Sequence, residues 1–215
     1  MKKFFNTTRF IRSTPSFKSK IFITVLVLAW SIAAHSQGYN WKKINLDKIG
    51  GDSVGVMDLS EKKGLVLLFL DPDCPITQKY GATFRGLFTE LQRKEIGLAA
   101  VYPIINADTS VIAEFAEAYQ YPFSHLVDPR LTFTQAIGAT TTPEVVFMDA
   151  QGKILYQGAI DNWFYKLGRY RRVITRNYLK DAISAYLAGE SIATSRTDAV
   201  GCLIGTGMLP QSGHH

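Results

Sequence analysis

The segment Gly64-Leu65-Val66-Leu67-Leu68-Phe69-Leu70 has no polar side chain, and it stops abruptly at Asp71-Pro72-Asp73-Cys74-Pro75. A strand with one wet face alternates apolar and polar residues. An unbroken apolar run bounded by Gly and Asp-Pro is expected of a strand buried on both faces. Such a strand needs a covering layer on each side, which points to an α/β architecture. Beyond Pro75, the residues Ile76, Tyr80, Phe84, Leu87, Phe88 and Leu91 recur at helical spacing, giving one apolar stripe to about Arg93. Cys74 therefore stands at a strand-to-helix corner. Helix-terminal N–H groups and the macrodipole stabilise a thiolate at such a place.

The remainder of the chain continues the pattern. Short strands are expected around Lys43–Leu46 and Val54–Leu59, and Ile96–Ile105 reads as a second buried strand. Val111, Ile112, Phe115, Ala116 and Tyr119 mark a second helix, with Asp108 or Thr109 available as N-cap. A short strand at Ser124–Val127 and a helical turn near Leu131–Ile137 lead to Gly138. Glu144–Asp149 and Lys153–Ile160 then read as strands of a hairpin around Ala150-Gln151-Gly152. Leu179, Ile183, Tyr186 and Leu187 give a last helix that ends at Gly189, a good C′ residue. The order β-α-β-α, hairpin, α predicts an α/β sandwich, a mixed central sheet with helices on both faces.

The net charge of +6 is accounted for by the N-terminus. Lys2, Lys3, Arg9, Arg12, Lys18 and Lys20 precede an apolar stretch from Ile21 to Ala34, and Ala34-His35-Ser36 supplies small residues for cleavage before Gln37. That order reads as a secretory signal over residues 1–36. The apolar stretch is shorter than the ~20 residues a spanning helix needs, so no stable membrane span is expected after cleavage. The segment holds 6 of the 24 Lys and Arg and none of the 18 Asp and Glu, leaving a mature chain of 18 against 18. The sequence pI of about 9.3 thus belongs to the targeting segment and implies no nucleic-acid partner. The expected organisation is a signal peptide at 1–36, one domain at 37–190, and a tail at 191–215 that carries Cys202. The chain's two cysteines, Cys74 and Cys202, would then lie in a periplasmic or otherwise extracytoplasmic, disulfide-permissive setting.

Three stretches carry a family resemblance. Leu68-Phe69-Leu70-Asp71-Pro72-Asp73-Cys74-Pro75-Ile76-Thr77 resembles the active-site stretch of exported bacterial redoxin-domain proteins. These form the alkyl hydroperoxide reductase and thiol-specific antioxidant branch of the thioredoxin-like superfamily. Thr142-Pro143-Glu144-Val145-Val146-Phe147-Met148-Asp149, followed by Gly152-Lys153-Ile154-Leu155-Tyr156-Gln157-Gly158, looks like that group's cis-proline strand and hairpin. Ala199-Val200-Gly201-Cys202-Leu203-Ile204 resembles a Gly-Cys tail found in a subset. The resemblance implies a thioredoxin-like fold, a redox-active thiol at Cys74, a cis peptide before Pro143, and substrate contacts at Thr77, Thr142 and Pro143. It implies no cofactor.

The departures shape the chemistry. Thioredoxins place a second Cys where this chain has Thr77, so a dithiol exchange within the turn is excluded. Peroxiredoxins place a Pro and a Thr or Ser where this chain has Leu67 and Asp71, so the peroxide-activating hydroxyl is missing. Copper chaperones of the oxidase-assembly type need a Cys where Leu70 stands, and a His ligand; His125 reads as structural. Asp71 and Asp73 would raise the pKa of Cys74 if they pointed inward, against the lowering by helix N–H groups.

Cys202 has three readings: a stray thiol of a polar tail, a staple to Cys74, or a partner that resolves a mixed disulfide on Cys74. The tail from Glu190 to Gly201 reaches up to about 40 Å at ~3.3 Å per residue, long enough to return to the Cys74 corner, with Leu203 and Ile204 then covering apolar ground beside it. The leading expectation is an exported thiol-disulfide oxidoreductase acting on protein thiols or disulfides, a small oxidised thiol or peroxide, with an envelope electron donor. The alternatives are a divergent peroxiredoxin and a non-catalytic binding module for an envelope partner. The segment Asp161–Arg172, aromatic and then basic, reads as an irregular connection with solvated charges or as a docking surface for an acidic partner.

Overall fold

A computed structural model of the chain describes residues 40–205. The expected signal segment at 1–36 and the end of the expected tail, 206–215, lie outside the described residues. The strands are β1 (Asn45–Lys48), β2 (Ser53–Gly55), β3 (Gly64–Phe69), β4 (Ile96–Tyr102), β5 (Ser124–Val127), β6 (Thr141–Thr142), β7 (Glu144–Met148), β8 (Ile154–Gly158), β9 (Phe164–Lys166), β10 (Arg169–Tyr170) and β11 (Cys202–Leu203). The helices are α1 (Pro75–Lys79), α2 (Gly81–Arg93), α3 (Thr109–Ala118), α4 (Thr132–Ile137) and α5 (Tyr178–Leu187). Seven strands form one mixed sheet in the order β2-β1-β5-β4-β3-β7-β8. Strands β3, β4 and β5 run parallel, and β7 and β8 run antiparallel to their neighbours.

The unbroken apolar run explains itself at the centre of this sheet. Val66, Leu68 and Leu70 point into one core with Phe84, Leu87 and Leu91 of α2, Phe115 of α3 and Ile183 of α5. Leu65, Leu67 and Phe69 point into a second core with Phe133 and Ile137 of α4. Helices thus cover both faces, as the order of elements predicts. Each large side chain buried this way contributes about 1.5–3 kcal/mol.

Local departures have local causes. The helical stripe to Arg93 is interrupted at Tyr80, where α2 begins against the Tyr119 ring; a Cβ on Gly81 would lie 2.1 Å from that ring. The second strand ends at Tyr102, because Pro103 cannot donate to the ladder. The stretch expected as a strand over Val54–Leu59 pairs only through Gly55 and then turns as a 3-10 helix. The segment expected as an irregular connection contains the β9–β10 hairpin.

After α5 the chain turns at Gly189 and runs back along the sheet edge. Gln157 donates its N–H to the Ser195 carbonyl at 3.0 Å, and Thr197 donates to the Gln157 carbonyl at 3.1 Å. This covers the free side of β8, a sheet edge otherwise open to pairing. Gly158, at φ +139°, makes the close approach feasible; a Cβ there would stand 2.1 Å from the Thr197 carbonyl oxygen. The tail then reaches β6, where Cys202 pairs with Thr142 and Leu203 with Thr141.

Candidate active site at the Cys74 corner

Cys74 is the N-cap of α1 because the preceding turn holds it there. Asp71 accepts a hydrogen bond from the Asp73 N–H at 2.9 Å, and Cys74 N–H donates to the Asp71 carbonyl at 3.1 Å. Gln78 reaches back to the Pro72 carbonyl at 2.7 Å, and Pro75 occupies the first helical position. A proline at that position loses no hydrogen bond, since the N–H there is unpaired anyway. The result points the Cys74 sulfur inward at the start of the helix, with 0% of the residue exposed.

Two other segments converge on that sulfur. The Thr142–Pro143 peptide is cis, as the resemblance implies, and Cys74 Sγ lies 3.1 Å from the Thr142 carbonyl oxygen. From the tail, Cys202 Sγ stands 2.7 Å from Cys74 Sγ, both cysteines being free thiols. Ile204 N–H donates to the Thr140 carbonyl at 2.9 Å and seats the end of the tail. Ile204 packs on the second core, whereas Leu203 is 64% exposed, so only one of the two expected covering residues covers apolar ground.

The electrostatics separate the two sulfurs. Burial is the largest influence on Cys74 and pushes its pKa up, but hydrogen bonds from Cys202 and from the Thr77 and Ile76 N–H groups outweigh it, and the net direction is down. Cys202 is pushed up to about 12 by burial first, then by the neighbouring Cys74 sulfur and by Asp71. Of the two sulfurs, Cys74 is therefore the more readily ionised, and Cys202 is the one that keeps its proton to higher pH. Asp71 acts on Cys202 rather than on Cys74, and Asp73 is exposed. Neither carboxylate is among the groups that set the Cys74 pKa, contrary to what the sequence allowed.

The remaining expected residues fall into place as follows. Thr142 and Pro143 lie at the site, but both are buried, and the Thr142 edge is taken by Cys202. Thr77 is fully buried with no hydrogen-bond partner for its hydroxyl. It faces the sulfur through its backbone N–H, so its side chain has no surface to offer a substrate. His125 is buried away from the sulfurs, its Nδ1 paired with the Tyr102 hydroxyl at 2.9 Å, and burial holds its pKa down to about 4.

Two supporting groups escape a sequence reading. The buried Glu144 carboxylate accepts from the Thr140 and Thr141 N–H groups at 2.9 and 3.1 Å and from Gln157 at 2.8 Å, fixing the turn that enters Pro143. An acid inside the apolar run Glu144–Met148 was the available signal, since a buried charge needs partners. Tyr80, at the end of α1, donates to Asp161 at 2.6 Å, and Asp161 also accepts from the Trp163 N–H at 2.8 Å. These bonds tie the end of α1 to the start of the β9 hairpin.

Among curated proteins, none matches the chain. Solved structures do, at the level of the fold. An uncharacterized conserved protein from Geobacillus kaustophilus is 20% identical with a TM-score of 0.66, covering 75% of this chain and 87% of that one. A hypothetical protein from Sinorhizobium meliloti 1021 is also 20% identical at 0.66, covering 75% and 89%. A putative thiol:disulfide interchange protein DsbE from Chlorobium tepidum is 18% identical at 0.50, covering 68% and 91%. The fold is thioredoxin-like, and a thiol held at the end of its central strand is what the resemblance led one to expect. The AhpC/TSA family model spans residues 38–157, from before the first strand to the last strand of the main sheet, and the chain belongs to that family.

Proposed function

We propose that the protein is an exported thiol-disulfide oxidoreductase in which Cys74 is the nucleophile and Cys202 the resolving thiol. The observation that carries this reading is the 2.7 Å separation of the two sulfurs, with Cys74 the more readily ionised. In the reductive direction, the Cys74 thiolate attacks one sulfur of a substrate disulfide. A Cys74 mixed disulfide forms and the other substrate sulfur leaves as a thiolate. Cys202 then attacks the Cys74 sulfur, expels the second substrate thiol, and gives up its proton to it. The protein dithiol loses two electrons and the substrate disulfide gains them. An electron donor in the envelope would return the pair to thiols.

The tail adds a condition to this cycle. Thr142 and Pro143, the expected substrate contacts, are covered while β11 is seated, so an extended substrate needs the tail displaced first. The organisation proposed is a cleaved signal at 1–36, a redoxin domain at 37–190 and a tail at 191–215 that serves as the resolving arm. No helix among the described residues is long and apolar enough to cross a membrane. The peroxide version has less support, because Asp71 stands where an activating hydroxyl is wanted.

The test is single-turnover reaction of the reduced protein with 2-hydroxyethyl disulfide, a small neutral substrate. The parent should release two thiols per protein, Cys202→Ser one, and Cys74→Ser none. Equal release by parent and Cys74→Ser would end the proposal.

A further inference from the structure

The aromatic and basic stretch 161–176 is the largest feature that the redox chemistry leaves unused. Its base is rigid. The Asn162 side-chain oxygen accepts from the Thr175 and Arg176 N–H groups at 3.0 and 3.1 Å, and the Asn162 N–H donates to the Arg176 carbonyl at 3.1 Å. Its inner side is anchored beside the site: the Trp163 ring stands edge-on to Tyr80, with centroids 5.1 Å apart. Tyr80, Pro143, Ile160, Phe164 and Val200 close around a gap of only about 10 Å³, so the start of the hairpin packs against the cis-proline turn.

The outer side is apolar and cationic together. Leu167 is 63% exposed and Val173 68%, with Tyr165 and Tyr170 about half exposed beside them. Arg171 lies over the Tyr165 ring at 5.0 Å, and Lys79, at the end of α1, over Tyr170 at 5.5 Å. Between Lys166 and Arg176 the chain carries five cations and no acid. The ion pairs among the described residues engage Lys62, Lys94 and Lys180, and none of these five. In a mature chain balanced at 18 against 18, this is a local excess of positive charge on an ordered surface. Arg and Tyr around an apolar centre are the composition of interface hot spots, and guanidinium groups match carboxylates in pairs.

We infer that residues 161–176, with Lys79, form a docking surface for an acidic polypeptide bearing apolar residues, the partner of the Cys74 site. The inference rests on the redox reading for the partner's purpose, not for its binding. Charge complementarity selects the acid, and the contact of Trp163 with Tyr80 places the hairpin beside α1, the helix that Cys74 caps. The surface would raise the encounter rate and orient the partner before the tail yields.

Binding is measured by anisotropy on the full mature chain, with dye-labelled peptides that carry Ser in place of Cys. One peptide mixes Asp and Glu with Phe and Leu; the others replace its acids by Gln or by Lys. The acidic peptide should bind at least tenfold more tightly than the Gln peptide. That advantage should shrink as salt rises from about 0.1 to about 1 M and the screening length falls from about 10 to about 3 Å. Arg171→Glu with Arg172→Glu should remove the preference. Equal binding of the acidic and Gln peptides by the parent overturns the inference, as does a preference that survives charge reversal. Binding to phosphatidylglycerol vesicles without discrimination among peptides also overturns it, in favour of a lipid surface. Reaction with 2-hydroxyethyl disulfide is run in parallel. Its failure would count against the redox reading, while the peptide result would still decide the docking surface.

Discussion

Gly201→Ala should unseat the tail without touching either sulfur. A Cβ at this position would stand 2.0 Å from the Thr142 carbonyl oxygen and 2.7 Å from the Thr142 carbonyl carbon. Those are backbone atoms of a turn held by Glu144 and by the Cys74 contact, so the exposed tail is the side that gives way. What it loses is the pairing of Cys202 with Thr142 and Leu203 with Thr141, the Ile204 bond to Thr140, and part of the Ile204 packing. At about 1 kcal/mol net for each backbone bond, the seat is worth about 3 kcal/mol. A tenfold change corresponds to about 1.4 kcal/mol, so the local concentration of Cys202 at Cys74 should fall about 100-fold. In the reduced variant the tail simply relaxes away, whereas a Cys74–Cys202 disulfide has to carry the clash. The reduction potential should therefore rise by about 60 mV, at 29.6 mV per decade for a two-electron couple. Equilibration with glutathione buffers, read by mass after acid quench, measures it. Gly86→Ala is the control, because a Cβ there meets nothing within 4 Å. A potential for Gly201→Ala within about 10 mV of the parent, with the disulfide forming in both, would refute the seat argument.

Two further expectations follow from buried polar groups. Thr77→Val removes a hydroxyl that has no partner while nearly keeping its shape, so stability to urea should rise by up to about 1 kcal/mol; a loss of that size would mean the hydroxyl is satisfied. His125 has a folded pKa of about 4, below its unfolded value, so its neutral form contributes fully above about pH 6.5. That contribution is lost as pH falls towards 4 and amounts to about 3 kcal/mol at most. Urea titrations at several pH values should show His125→Phe losing less stability than the parent over this window, and parallel losses would contradict the assignment.

Much of this arrangement is written locally. The run Gly64–Leu70 is apolar at every position because odd and even residues serve different cores, and a reader of the sequence can infer both layers from it. Cys74 at a strand-helix corner, the proline at 143 and a tail long enough to return were equally visible. Other features depend on partners far away in the chain. Tyr80 reads as one more apolar residue of a helical stripe, yet its hydroxyl binds Asp161 and its ring meets Trp163, which is why 161–176 forms an ordered hairpin rather than a loose connection. Periodicity cannot see a two-residue ladder such as β6 with β11. Thr77 was expected at the substrate because of its place in the motif, but one helical turn from Cys74 its side chain points into the core.

The most direct test of the account is peptide mapping under non-reducing conditions after one turnover with 2-hydroxyethyl disulfide. The parent should yield a linked Cys74–Cys202 peptide, and Cys202→Ser should accumulate the hydroxyethyl adduct on Cys74 alone. An adduct found on Cys202 in the parent, or a Cys74 adduct that persists without any linked peptide, would contradict the assignment of nucleophile and resolving thiol.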